Sequence, residues 1–370
     1  MTKSNYELPS ILPMHILGCG SIGLLYASAI HNTYYKQRRN DNEQPPVTLL
    51  MRSHHKPRLI QKDTNDWFAP ISIKRGTATR RSDIPVEIIG EKSDTRNNSP
   101  IKCILLCTKA TDAVAAIESI WHRLHHTSGS KIIILSNGAL AIRDGIYKHF
   151  GNNQHEVELI LGTTTHGAHT PITNVSNQTQ NSYNITHAGD GSTYCTDKDF
   201  IHVCQSVGYD SAVQSDLQMN IILWKKLAVN CVINPLTAIH NVKNGQLLDT
   251  KHQGQEIKVI TRSILEEISQ VAILEMTELI EKEMPKEEGG DSLTQSMLSL
   301  LSLSSLEDFV FKIMNDTSDN ISSMLQDVRA NRVTEVQFLN GYVVTLGKEK
   351  HVIDCRYNTE MVRLVENLKS

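Results

Sequence analysis

The sequence predicts an α/β N-terminal half built on a parallel sheet, followed by an all-helical C-terminal half. Three observations predict it. Short, continuously apolar runs alternate with helical stretches as far as about residue 168. A glycine-rich turn joins the first run to the first helical stretch, and from about Leu217 onward the apolar residues recur at helical spacing instead. Continuous apolar runs mark strands covered on both faces, and their alternation with helices makes one doubly wound parallel sheet. The 370 residues suffice for two ordinary domains. The expected division is 1–215 for the sheet domain and 216–370 for the helical domain.

The first element is read from "MHILGCGSIGLLYASAI": an apolar strand, then Gly18-Cys19-Gly20-Ser21-Ile22-Gly23, then a helix. This is G-x-G-x-x-G in the strand-to-helix setting of a Rossmann-type dinucleotide-binding domain. Gly18 permits a tight turn, Gly20 lets backbone approach a pyrophosphate, and Gly23 lets the helix pack closely on the strand. Free N–H groups and the positive end of the dipole favour an anion there. Those six residues are the first cofactor-binding candidates.

The second strand, "VTLLMRS" (47–53), ends in Arg52, with His54, His55 and Lys56 behind it. An acidic residue here would grip a ribose 2′-hydroxyl; a cation suits a 2′-phosphate, so the pattern favours NADP over NAD. A solvated basic loop is the alternative. The polar segment 34–46 reads as a surface insertion. Three more strands follow, in "IKCILLCTKA" (101–110), "KIIILSNGA" (131–139) and "VELILGTTTHGA" (157–168). Ligands of such sheets bind beyond the carboxyl ends of the strands, where Lys109, Asn137 and "TTTHGA" fall. Segment 168–195, with alternating "YNITHAG" and a "GDG" turn, reads as a β-hairpin closing the sheet. His166, His169 and His187 match no metal-ligand spacing and read as polar structural residues, so no metal is expected.

In the second half, amphipathic stretches cover 217–233, 254–283, 318–346 and 357–369, and 285–292 reads as an exposed loop. Residues 293–304 read as a short helix or an insertion. Within "WKKLAVNCVINPLTA", Lys226, Asn230 and Asn234 stand four residues apart and so share one helix face. Apolar residues fill most of the remaining circumference, so the helix is mostly buried and its polar stripe needs partners or a wet cleft. In "DNISSMLQDVRANRVTEVQFLNG", Asn320, Ser323, Asp327 and Glu335 are spaced so that several can share a face, unless Asn331 breaks the stretch. Glu335 could offset Lys226; surface salt pairing is the other reading, and periodicity leaves both open.

Composition removes other classes of function. A net charge of −3 gives no reason to expect nucleic acid or a membrane surface as partner. No apolar run approaches the roughly 18 residues that span a bilayer. "MTKSNYELPS" lacks the apolar core of a secretory signal, and the seven cysteines form no CxxC or Cys/His metal spacing. A reducing compartment, the cytosol, is expected. The N-x-S/T triplets, Asn184-Ile185-Thr186 among them, read as chance matches. Cys103 and Cys107 read as small buried hydrophobes.

The series "GCGSIG", "CTKA", "SNGA", "TTTHGA", "WKKLAVNCVINPLTA", "NGQL" and "NISSMLQDVRANRVTEVQFLNGY" strongly resembles the ketopantoate reductase (2-dehydropantoate 2-reductase) family, from about residue 14 to 368. The helical stretches are its more specific part, since many oxidoreductases share the glycine turn. The resemblance implies NADPH as cofactor, 2-dehydropantoate as substrate and a monomer or homodimer. It implies Lys226 and Glu335 as catalytic residues, and Asn137, Asn230, Asn234, Asn244, Asn320 and Ser323 around the substrate. The glycine turn, Arg52, Lys109, Asn137 and Glu335 would contact the cofactor. Departures are "SNG" where "QNG" is usual, and insertions near 34–46, 91–99 and 284–305. Two rival readings are a reductase of another branched 2-oxo acid and a non-catalytic NADP-binding regulator.

Overall fold

The computed structural model describes residues 13–35, 45–62, 66–90, 99–124, 129–151, 157–170, 182–249, 254–284 and 290–368. Two compact units divide the chain, Met1–Gln214 and Ser215–Ser370.

The first unit runs β1 (Met14–Leu17), α1 (Ser21–Tyr34), β2 (Val47–Met51), β3 (Ile60–Gln61), β4 (Trp67–Arg75), β5 (Ala78–Ile88) and β6 (Cys103–Leu106). It continues through α2 (Ala110–Glu118), β7 (Ser130–Ile134), α3 (Ala139–Phe150), β8 (Val157–Thr164) and β9 (Gly167–His169). It ends with β10 (Tyr183–Gly189), β11 (Ser192–Cys195), α4 (Lys198–Ser206) and β12 (Asp210–Val213). Six strands in the order β5-β2-β1-β6-β7-β8 pair in parallel. Every residue of β2 and β6 is buried, as strands covered on both faces must be. The order reverses between β1 and β6, which puts the ligand-binding end of the sheet at Leu17 and Leu106. Cys103 is buried as expected, while Cys107 is half-buried.

The sheet does more than the sequence foretells. Beyond β5 it continues through antiparallel β4, then β10 and β9; beyond β8 it continues through antiparallel β11, then β12. Only Thr165 and His166 separate β8 from β9, yet β9 lies at the far end of the strand order. So short a link spans on the order of 10 Å, so the sheet must curl into a half-barrel. Tyr26 of α1, fully buried, ties the curl from inside, its hydroxyl 3.1 Å from Thr164 Oγ1 and 2.5 Å from Thr193 Oγ1.

The expected hairpin in 168–195 is therefore corrected. "YNITHAG" is β10, which pairs with β4 and β9, whereas the strand after "GDG" crosses to β8. A Cβ on Gly191 would lie 2.3 Å from the Thr165 carbonyl carbon, so the crossing segments touch backbone to backbone. The long β4–β5 hairpin, turning at Gly76 (φ +57°), is an addition that the apolar runs alone do not announce.

The second unit contains α5 (Asp216–His240), α6 (Gly254–Glu283), α7 (Gly290–Ser299), α8 (Leu303–Asp316), α9 (Ser323–Arg329), α10 (Asn340–Leu346) and α11 (Arg356–Asn367). The α5 helix starts at a capping box: Ser215 Oγ accepts from Gln218 N, and Gln218 Oε1 accepts from Ser215 N. The short helix read within 293–304 is α7, but two expectations need correction. Helix α7 already starts at Gly290, inside the stretch read as a loop, while 285–289, 36–44 and 91–98 of the expected insertions and loop lie outside the described residues. The stretch 318–346 is no continuous helix. Asn331 takes a left-handed φ of 51°, α9 stops before it, and Glu335 begins a separate 3-10 turn at 336–338. No described helix is long and apolar enough to cross a membrane.

Candidate active site

The first set of candidate residues is mostly backbone. Gly18 has φ +117°, and a Cβ there would lie 2.4 Å from Cys107 C and Thr108 N; a Cβ on Gly23 would lie 2.0 Å from Gly18 O. Glycine is required at both positions because main chain packs on main chain. A Cβ on Gly20 would meet nothing nearer than Cys107 O at 3.9 Å, so packing within the fold does not require glycine there. Gly20 is also the N-cap of α1, which has no side-chain cap and no acidic residue in its first turn. Its leading N–H groups are thus ready for an anion. The helices that follow β6 and β7 also lack a side-chain cap: the N-cap of α2 is Lys109, with Asp112 in the first turn, and that of α3 is Gly138, next to Asn137. Asp197, Ser215, Ser302 and Ser322 cap α4, α5, α8 and α9, whereas α10 and α11 also lack a cap from their N-cap side chains.

Cys19 and Ser21 complete the turn, and Ser21 Oγ lies 3.5 Å from Thr170 Oγ1. Burial pushes the Cys19 thiol up to about 12. Ser136 Oγ donates to Leu106 O and Thr108 O at 3.3 and 2.7 Å, holding the ends of β6 and β7 together. Thr108 Oγ1 is buried with no hydrogen-bond partner among the described residues. Sequence reasoning missed Thr108, although it directly precedes Lys109 in "CTKA". Arg52 is exposed immediately after β2, heading the 3-10 turn Ser53–Arg58. The His55 ring is held below the usual imidazole range by burial, then by His54, Arg58 and Arg52, which marks a local positive field. Uncapped helix ends, the open Gly20, the orphaned Thr108 hydroxyl and this basic turn together fit a phosphorylated dinucleotide.

The second set lies on α5 and its neighbours. Lys226 and Asn230 are half-buried and Asn234 is buried at 8% exposure, with Leu227, Ala228, Cys231 and Val232 packed on the other sides. Burial pulls the Lys226 amine down to about 8, and the Glu335 carboxylate opposes that shift. Glu335 therefore acts on Lys226 from its place before the 3-10 turn, not from a shared helix face. Thr237, one turn past Ile233, donates to Ile233 O at 2.7 Å and lies 2.6 Å from Ser322 Oγ. Ser322 caps α9 through Leu325 N, so this contact seats the first residue of α9, Ser323, against α5. Neither Thr237 nor Ser322 was singled out from the sequence.

Asn244 and Asn320 meet through backbone, Asn244 N donating to Asn320 O at 3.1 Å. Asn244 Nδ2 donates to Thr317 Oγ1 at 2.9 Å, while its Oδ1 is buried and has no partner among the described residues. Asn320 and Ser323 are exposed. Asp327 departs from expectation. It is buried and accepts from Arg332 Nε at 2.9 Å, so it closes the end of α9. Of the three histidines, His166 Nδ1 lies 3.2 Å from His187 Nε2 and accepts from Gly191 N at 3.1 Å, and Asp190 joins the group, while His169 does not.

Models of two families match nearly the whole chain: "Ketopantoate reductase PanE/ApbA" over residues 14–197 and "Ketopantoate reductase PanE/ApbA C terminal" over 218–369. A 2-dehydropantoate 2-reductase from Shigella flexneri is 33% identical over 359 residues, covering 96% of this chain and 94% of that protein. The chain belongs to the ketopantoate reductase family. That is a family of oxidoreductases, and the likeness extends to solved structures. A PanE/ApbA family ketopantoate reductase from Ralstonia eutropha JMP134 gives a TM-score of 0.66 at 16% identity, covering 97% of this chain and 98% of that one. D-mandelate dehydrogenase, solved as a ternary structure with NADH and anilino(oxo)acetate, gives 0.65 at 17% identity with the same coverage. At such identities the likeness is one of fold.

Proposed function

We propose that this member of the ketopantoate reductase family reduces 2-dehydropantoate to pantoate with NADPH. The observation that carries the reading is the Lys226 amine, pulled down to about 8 beside Glu335 and in line with Asn230 and Asn234. A group poised there is mostly protonated at neutral pH and can still release its proton, as an effective general acid must.

Gly18 to Gly23 would hold the pyrophosphate, Arg52 the 2′-phosphate, and Lys109 and Asn137 the part of the cofactor nearer the sheet. When bound, NADPH supplies the hydride for the ketone carbon. Lys226 holds a proton at Nζ for the ketone oxygen, and its positive charge stabilises the alkoxide character that develops there. Glu335 keeps part of the positive charge on Lys226 despite burial, and orients the amine. Asn230, Asn234, Asn244, Asn320 and Ser323 offer neutral hydrogen bonds to the carboxylate and hydroxyl of the substrate without adding charge that would compete with Lys226.

The test follows NADPH absorbance with ketopantoate and, separately, with 2-oxoisovalerate. The expected result is a much higher kcat/KM for ketopantoate. Preference for 2-oxoisovalerate would assign another branched 2-oxo acid. Binding of NADPH without oxidation by either acid would assign a regulator.

A further inference from the structure

The α5 helix contains Pro235 in its interior, one residue after Asn234. In an α-helix the N–H of residue 235 would donate to the carbonyl of residue 231. Proline has no N–H, and its ring pushes that carbonyl aside. A carbonyl left unpaired in a buried helix is costly. Here Cys231, fully buried, is given a different donor: Asn340 Nδ2, at 2.9 Å.

We infer that Asn340 is a positioning residue for the Lys226–Asn230–Asn234 stripe, its carboxamide standing in at Cys231 for the N–H that Pro235 lacks. Asn340 is itself held through its side-chain nitrogen, while its Oδ1 is buried with no hydrogen-bond partner among the described residues. Its Nδ2 also donates to Asn358 Oδ1 at 3.0 Å, and both asparagines have no exposed surface. Asn358 Nδ2 donates in turn to Glu267 Oε2 at 2.7 Å. The Glu267 carboxylate accepts the N–H groups of Tyr357 and Asn358 at 2.8 and 2.9 Å, at the start of α11. The polarity is consistent throughout. A carboxylate can only accept, so Asn358 turns its nitrogen to Glu267 and its oxygen to Asn340, whose nitrogen is thereby aimed at Cys231. One chain of hydrogen bonds thus crosses α6, α11, α10 and α5, and it ends on the peptide between Asn230 and Asn234. A tilt of that peptide turns Asn234 relative to Lys226, and a misplacement of about 1 Å at a reacting centre can cost on the order of 10²-fold.

The inference rests on the reading of Lys226 as the acid, and its test keeps the two apart. Asn340→Leu, Pro235→Ala and the double variant are compared by steady-state kinetics with NADPH and ketopantoate, and by amide hydrogen exchange along α5. Asn340→Leu is expected to lower kcat at least about tenfold, to leave KM for NADPH unchanged and to speed exchange around residues 227–234. Pro235→Ala restores a backbone N–H for Cys231, so on its own it should leave kcat within about twofold, and in the double variant it should recover most of the lost rate and protection. A generic packing defect at 340 would not be repaired from a different helix. A double variant as impaired and as fast-exchanging as Asn340→Leu, or an Asn340→Leu variant with wild-type kcat and exchange, overturns the inference. If Asn340→Leu alone is insoluble, a soluble double variant is itself the rescue, and an insoluble one overturns the inference. If the unmodified protein turns over no ketopantoate, the proposed reaction falls, while exchange along α5 still decides the role of Asn340.

Discussion

The glycine turn of the first unit and the polar stripe of the second are built on opposite plans. At the turn, the candidate site is made of main chain: Gly18 and Gly23 let backbone pack on backbone, Gly20 leaves it bare, and α1, α2 and α3 begin without side-chain caps. On α5, the candidate site is made of side chains, and the main chain itself is contacted by Asn340 and, at Thr237, by Ser322. A backbone site is fixed by a few neighbouring residues and tolerates no added atoms. A side-chain site is fixed by distant residues, and its chemistry depends on how far each group is drawn out of water.

The largest break in that comparison would come from Lys226→Ala, which should lower kcat about 10²–10⁴-fold, the range for a lost general acid, with little change in KM for NADPH. Steady-state kinetics decide it, and near-normal turnover would remove Lys226 from the role. The backbone plan is tested by contrasting two glycines. Gly18→Ala should destabilise the fold by roughly 2–5 kcal/mol, combining a left-handed φ with overpacking against Cys107 and Thr108. Gly20→Ala should leave the melting temperature nearly unchanged and weaken NADPH binding, because its added methyl meets open space. Equal melting temperatures for the two variants would refute the distinction. A smaller effect is expected from Arg52→Ser: loss of a charge-assisted contact of about 1.5–3 kcal/mol should raise KM for NADPH roughly 10–100-fold and leave KM for NADH nearly unchanged.

The smallest effect sharpens the side-chain plan through pH. Lys226 acts as an acid only while protonated, so kcat should fall as pH rises through about 8. Stability should move the other way. The buried amine sheds its proton near 8, whereas an unfolded lysine keeps it to about 10.5, so between those values the unfolded chain binds more protons and this group adds stability as pH rises. Glu335→Gln removes the opposing carboxylate and should shift the kcat profile to lower pH. A profile unmoved by that change would separate Glu335 from Lys226.

Sequence made the parallel core legible because its signals are local: apolar runs, a glycine spacing and the turn from strand to helix. The Lys226 stripe was legible for the same reason, as three residues on one helix. What escaped depended on distance. β10 pairs with β4 more than 100 residues earlier, and nothing in "YNITHAG" names that partner over the nearer "STYC". Whether several of Asn320, Ser323, Asp327 and Glu335 share a helix face stayed open, because a period of 3.6 cannot tell whether Asn331 breaks the stretch; its left-handed turn decides that it does. One signal was present and unused. Pro235 within an apolar helix asks which group will satisfy Cys231, but the answer, Asn340, lies 109 residues beyond that carbonyl.

That distance has a consequence during synthesis. As the nascent chain emerges, the segment bearing Lys226 is made long before the amide that completes its bonding, so water must solvate the open peptide in the interval. The polar stripe of α5 therefore cannot reach its final shape until translation has passed Asn340, and a ribosome stalled short of that codon holds an unfinished protein.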